Sequence, residues 1–160
     1  MQVLCKIFYA LLLLMSLSAA AQDPSALPRN ATILPLELNS RFGLILLKVQ
    51  IDGKPATFVL DTGSSRTILS TRFDTHRLPS SPKVTSSKGS GYVGSAISVK
   101  VTLKIGEHLW PDHDFLAMND FPEISQSVGQ KIDGILGQDV LREFKTVEID
   151  FRHRRLTLSP

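Results

Sequence analysis

The chain has 160 residues, 42% of them hydrophobic, and a formal charge of +3 at neutral pH. That length is enough for one domain with a real core, and that apolar content excludes a disordered chain. Lys and Arg are scattered apart from Arg152-His153-Arg154-Arg155, a distribution that reads as solvated surface and gives no footing for nucleic-acid binding.

Residues 1–21 place Lys6 ahead of an apolar run from Ile7 to Ala21 that ends in small residues. This is the pattern of a secretory signal peptide. The run spans 15 residues, short for a membrane helix, and Ala19 and Ala21 fit an Ala-x-Ala cleavage site ahead of Gln22. Cleavage after Ala21 gives a secreted or periplasmic chain of charge +2, with no membrane span and no cysteine, because Cys5 is the only one. An uncleaved segment would act as an anchor instead. Residues 22–35 hold three prolines and read as an extended leader; residues 36–160 read as the folded domain. Asn30-Ala31-Thr32 matches the N-glycosylation sequon, which matters only in a eukaryotic host.

From Leu34 the pattern is almost entirely β. FGLILLKVQI and KPATFVLD flank Asp52-Gly53, a two-residue hairpin signal. A glycine-rich interruption at Gly89, Gly91 and Gly94 precedes SAISVKVTLKI, whose period of two puts Ile97, Val99, Val101, Leu103 and Ile105 on one face. Gly106-Glu107 then turns the chain into HLWPDHDFLAM, and a segment rich in Pro, Ser and Gln reads as a loop. Asp139 to Phe144 can form one short helix. TVEIDF and RLTL pair around Arg152-His153-Arg154. There is no internal repeat.

TFVLDTGSSRTIL, Thr57 to Leu69, carries the chemistry. A buried strand ends on a carboxylate, Asp61, followed by Thr62, Gly63 and Ser64. Gly63, lacking a Cβ, lets backbone amides approach the acid closely. Thr62 and Ser64 supply hydroxyls that lock the loop or bond to the acid. A carboxylate so fixed suits general acid–base work. The same residues also suit a turn that merely ends a strand, and this stretch alone does not separate the two.

HLWPDHD gathers His108, Asp112, His113 and Asp114, but His108 and His113 fall on opposite faces of a strand, so convergence on a metal is not expected. Trp110 reads as a packing residue. Ser64, His153 and Asp150 make a triad on paper only, without a Gly-x-Ser-x-Gly elbow.

Further along stands IDGILGQDVL, in which Ile135-Leu136-Gly137 precedes the short helix. LDTGSS, a glycine-tipped hairpin, DGILGQDVLREF and VEIDFRHRRLTL, in that order, resemble the retropepsin-like aspartic proteases of the single-domain secreted or bacterial type. The resemblance covers about Leu36 to Leu158. It implies an all-β fold, a closed barrel or sandwich with a flap hairpin and one short helix. It implies that Asp61 is catalytic. Thr62 is similar to the threonine that grips the partner loop across a two-fold axis, and Gly63 and Ser64 to neighbours that bond the carboxylate. Gly137 matches the glycine under the active-site loop. Gly89, Ser90, Gly91 and Tyr92 resemble the flap over the substrate, although Tyr92 follows the glycines where pepsin-type flaps place tyrosine before them. No cofactor and no metal are implied.

Aspartic proteolysis needs two facing carboxylates that share a proton. The sequence holds one Asp-Thr-Gly. The expected enzyme is therefore a homodimeric endopeptidase acting on peptide or protein substrates, with one Asp61 from each chain. Two alternatives stand beside it: a catalytically silent retropepsin-fold module that binds peptides or dimerises, and an unrelated secreted β-sandwich used in adhesion.

Overall fold

The computed structural model describes residues 30–73, 84–85 and 95–160. The signal segment, the first part of the leader and the flap positions Gly89, Ser90, Gly91 and Tyr92 lie outside the described residues.

Strands β3 (Leu44–Ile51) and β4 (Lys54–Leu60) form the hairpin expected around Asp52-Gly53, in register from Ile51 opposite Lys54 to Leu46 opposite Val59. Asp52 and Gly53 take φ values of 48° and 74°, the left-handed pair that a two-residue turn needs. Asp52 also ties this turn to a neighbouring strand: its N–H donates to Thr102 O at 2.9 Å and its Oδ1 accepts the Thr102 N–H at 2.8 Å. That neighbour is β7 (Ser95–Ile105), which turns at Gly106-Glu107 into β8 (His108–Met118). Val99, Val101, Leu103 and Ile105 are all buried, so the period of two holds along β7 despite an irregularity in its pairing between Val101 and Leu103.

The other strands of this sheet are β2 (Glu37–Asn39), β5 (Ile68–Ser70), β6 (Val84–Thr85) and β9 (Gly134–Leu136). The sheet order is β2-β3-β4-β9-β5-β8-β7-β6, and β7 pairs back onto β3 through Gln50–Lys104 and Ile51–Leu103. That last pairing closes β3-β4-β9-β5-β8-β7 into a barrel. Its interior is filled by Phe58, Phe115, Leu69 and Leu136, and Phe73 of a short 3-10 turn is buried in the same apolar cluster. Each such side chain contributes roughly 1.5–3 kcal/mol by leaving water.

A separate three-stranded sheet runs β1-β11-β10, made of Thr32–Pro35, Arg155–Ser159 and Thr146–Asp150. Its first strand is the end of the leader. Residues 32–35 are thus built into the domain, Ile33 opposite Thr157, and are not a free arm. Leu34 alternates inward beside Leu156 and Leu158, and Thr32 and Leu34 cross the glycine of the β7–β8 turn, where a Cβ on Gly106 would meet Thr32 Cγ2 at 2.6 Å.

The segment read as a loop after Met118 contains a helix, α1 (Phe121–Val128). Its Pro, Ser and Gln content conceals helical spacing. Phe121, Ile124 and Val128 fall on one face and join a second apolar cluster with Leu46, Met118 and Ile132. Pro122 sits in the first turn, where its missing N–H costs nothing. Gly129 ends the helix at φ 70°. The other helix, α2 (Gln138–Leu141), begins one residue earlier than expected and is shorter. Strands dominate nonetheless, and the fold is all-β.

Candidate functional site

Asp61 stands directly past the end of β4. Parallel β9 fixes that end: Val59 lies opposite Ile135, Leu60 opposite Leu136, and the Asp61 N–H donates to Leu136 O at 3.1 Å. The loop then folds on itself. Gly63 N–H donates to Asp61 Oδ1 at 2.8 Å, and Ser64 N–H to Asp61 O at 3.2 Å. A Cβ on Gly63 would lie 3.2 Å from the same Oδ1. Among the described residues no Lys, Arg or His forms an ion pair with Asp61. The carboxylate is held by a backbone amide, and no cation among the described residues neutralises it, an arrangement that suits general acid–base work. Thr62 is exposed, and Ser64 Oγ donates to Arg66 O at 2.7 Å, locking the loop on its own backbone.

Gly137 lies beneath this loop. A Cβ there would sit 2.5 Å from the carbonyl carbon and oxygen of Arg66, which are backbone atoms and cannot swing aside. Its N–H donates to Thr67 Oγ1 at 3.0 Å. The next residue, Gln138, bonds the loop twice, through its N–H to Ser64 O at 2.8 Å and through Nε2 to Thr62 O at 2.9 Å. Asp139 follows, buried, with Oδ1 accepting the Thr67 N–H and hydroxyl and the Val140 N–H. Arg66 Nε lies 3.5 Å from its Oδ2.

At the other end of β9, Asp133 is buried as well. It accepts the Thr57 N–H at 3.0 Å and pairs with Arg72 Nε at 2.8 Å. The sequence reading gave no part in the site to Gln138, Asp139, Thr67, Asp133 or Arg66. The usable signal was a carboxylate at either end of the apolar Gly134–Leu136 strand, where an acid needs a buried donor set.

Asp61 opens onto an apolar cavity of about 360 Å³. Leu44, Val59 and Ile135 line its strand side, Phe121, Ile124 and Val128 of α1 form a wall, and Phe42, 48% exposed, stands at the lip. A cavity of this size accommodates a large apolar side chain.

The other clusters do separate things. His108 meets Thr32 Oγ1 at 3.0 Å and stacks edge-on against Phe144; Trp110 is buried and donates from Nε1 to Glu143 at 2.7 Å; His113 packs on Phe115. Among the described residues no group of three or more His, Cys, Asp or Glu is placed to hold a metal ion. His153 Nδ1 is 2.6 Å from Asp150 on the β10–β11 turn, while Ser64 spends its hydroxyl on Arg66.

A strand-end Asp-Thr-Gly braced by a Gly-bearing strand is matched at the level of sequence as well. Residues 47–140 match the family described as aspartyl protease. The chain belongs to the aspartyl protease family. Its fold is similar to that of a retropepsin-like aspartic protease from Rickettsia conorii, at a TM-score of 0.53 and 18% identity over 80% of this chain and 89% of that one. It also overlaps the EIAV protease in complex with an inhibitor (TM-score 0.42, 22% identity, 61% of this chain and 85% of that one). A third overlap is with the retroviral protease-like domain of Ddi1 from Leishmania major (TM-score 0.45, 17% identity, 72% and 87%). No protein with a curated description matches the sequence. This aspartyl protease family member thus has the retropepsin-like all-β fold, and protease function in general follows from its family.

Proposed function

We propose that the chain is an aspartic endopeptidase that works as a symmetric homodimer, each copy supplying Asp61 to one shared site. The observation that carries this reading is Asp61 itself: a single Asp-Thr-Gly carboxylate, bonded by Gly63 N–H, uncompensated by a cation among the described residues, and facing an apolar cavity. Two such carboxylates meeting on an axis hold one proton between them. The ionised one takes a proton from water as the water oxygen bonds to the scissile carbonyl carbon. The protonated one gives its proton to the carbonyl oxygen. The C–N bond then breaks as the first carboxyl passes the proton it took from water to the amine nitrogen, and the second takes a proton back from a hydroxyl of the tetrahedral intermediate.

Thr62, exposed on the loop, is the residue nearest the proposed axis, and the β1-β11-β10 sheet formed by the chain ends is the proposed remainder of the contact. The N-terminal apolar run supports export to the periplasm or outside the cell. Among the described residues no helix is long and apolar enough to cross a membrane. A silent peptide-binding module would use the same cavity without needing a paired carboxylate. Cleavage of a denatured peptide library by the purified mature chain separates the two. Loss of every cut in Asp61→Asn, with the fold retained, is the expected result; cuts that persist in Asp61→Asn overturn the assignment.

A further inference from the structure

The peptide unit between Thr62 and Gly63 is gripped from both sides. Its N–H donates to Asp61 Oδ1 at 2.8 Å, and its C=O accepts from Gln138 Nε2 at 2.9 Å. The two bonds are in series, from the side-chain amide through the peptide group to the carboxylate. A donor placed on a peptide oxygen makes the N–H of the same peptide a stronger donor, so bonds in such a chain reinforce one another.

The donor is well anchored. The Gln138 backbone N–H bonds Ser64 O at 2.8 Å, so this one residue holds the loop on both sides of Gly63. The rest of α2, Asp139, Val140 and Leu141, is buried, which fixes the helix on which Gln138 stands. Gln138 itself is only partly buried. Its side chain therefore has little packing work, and its reach to Thr62 O is what distinguishes it from a solvated helix residue.

We propose that Gln138 is a positioning residue for the Asp61 carboxylate, orienting and polarising the Thr62–Gly63 peptide that bonds it. This rests on the reading of Asp61 as the catalytic acid and adds a second residue to that site. The contribution runs through an N–H donor at the tip of the side chain, so any side chain of similar length that carries such a donor should serve, and an apolar one of similar size should not.

The test compares the purified full-length mature protein with Gln138→Leu, Gln138→Met, Gln138→Arg and Gln138→Glu on one peptide substrate. Removing one hydrogen bond of this kind predicts that kcat falls about five- to tenfold in the Leu and Met variants, with KM unchanged. Gln138→Arg, which restores a donor, should recover most of the loss, and Gln138→Glu, which sets an acceptor against the Thr62 carbonyl, should lose at least as much as Leu. Melting temperature is read alongside; Met serves as the donor-free comparison if Leu lowers it. Wild-type kcat in both donor-free variants, or equal impairment of Arg and Leu, overturns the positioning role. Asp61→Asn is assayed in parallel. Cleavage by that variant removes the proposed function itself, whereas an inactive Asp61→Asn with unchanged donor-free Gln138 variants removes this inference alone.

Discussion

Asp139 and Thr67 form one hydrogen-bonded unit. The carboxylate takes the threonine N–H at 2.8 Å and its hydroxyl at 2.7 Å, and that hydroxyl accepts the Gly137 N–H at 3.0 Å. The start of α2 and the far end of the Asp61 loop are thereby joined inside the protein, where water cannot replace a lost partner.

Asp139→Ala leaves the Thr67 N–H and hydroxyl without their acceptor in a buried site. The expected cost is about 3 kcal/mol, visible as a lower urea midpoint, with Asp139→Asn costing less because it keeps one acceptor oxygen. An Ala variant as stable as the parent would show that this network does not hold the loop.

Gly137→Ala forces a methyl to within 2.5 Å of the Arg66 carbonyl. Backbone on both sides must shift, at a cost of roughly 1–3 kcal/mol or more, and the Asp61 loop moves with it. Lower thermal stability together with reduced cleavage is the expected pair of outcomes. An unaffected variant would mean that β9 and the loop are further apart than described.

The apolar cavity beside Asp61 predicts cleavage next to large apolar side chains. Ile124→Glu places a charge on its α1 wall and should lower kcat/KM for such peptides by tenfold or more, a scale set by the cost of burying an unpaired charge. Profiling cut sites of a peptide library in both proteins checks it; an unchanged preference would put the substrate elsewhere.

The β10–β11 turn carries a pH dependence. The Asp150 carboxyl is held well below the usual carboxylate range, first by the His153 backbone N–H, then by the His153 ring, with Arg155 adding to both. A carboxyl depressed in the folded state stabilises above its unfolded value near 4, and that contribution is lost as pH falls further. Asp150→Asn should therefore melt slightly lower than the parent at pH 7, and the gap should narrow as pH falls from about 4 to about 2. A gap as wide at about pH 2 as at pH 7 would contradict this account.

Much of this was legible in the sequence because the signals were local. Asp52-Gly53 names its own turn, and Val99 to Ile105 alternate without ambiguity. Asp61, Gly63 and Gly137 stand in short motifs whose spacing needs no tertiary knowledge. The helix α1 was hidden because Pro122, Ser125, Gln126 and Ser127 carry loop composition, whereas its apolar face declares itself only against Leu46 and Met118 from other strands. Thr32–Pro35 read as leader because three prolines fall within residues 22–35; its partner, β11, lies at least 120 residues away. Asp139 looked like a helix-start acid, and its burial on Thr67 is a long-range fact.

The shared site is tested most directly by subunit mixing. A fixed amount of active chain is allowed to exchange with an equal amount of Asp61→Asn chain, and cleavage is measured after re-equilibration. Random pairing leaves about a quarter of the dimers with two aspartates, so the activity of the fixed amount should fall to about half, and further as the variant is added in excess. Activity that stays constant at every ratio would show that each chain cleaves alone, and would contradict a site built from two copies of Asp61.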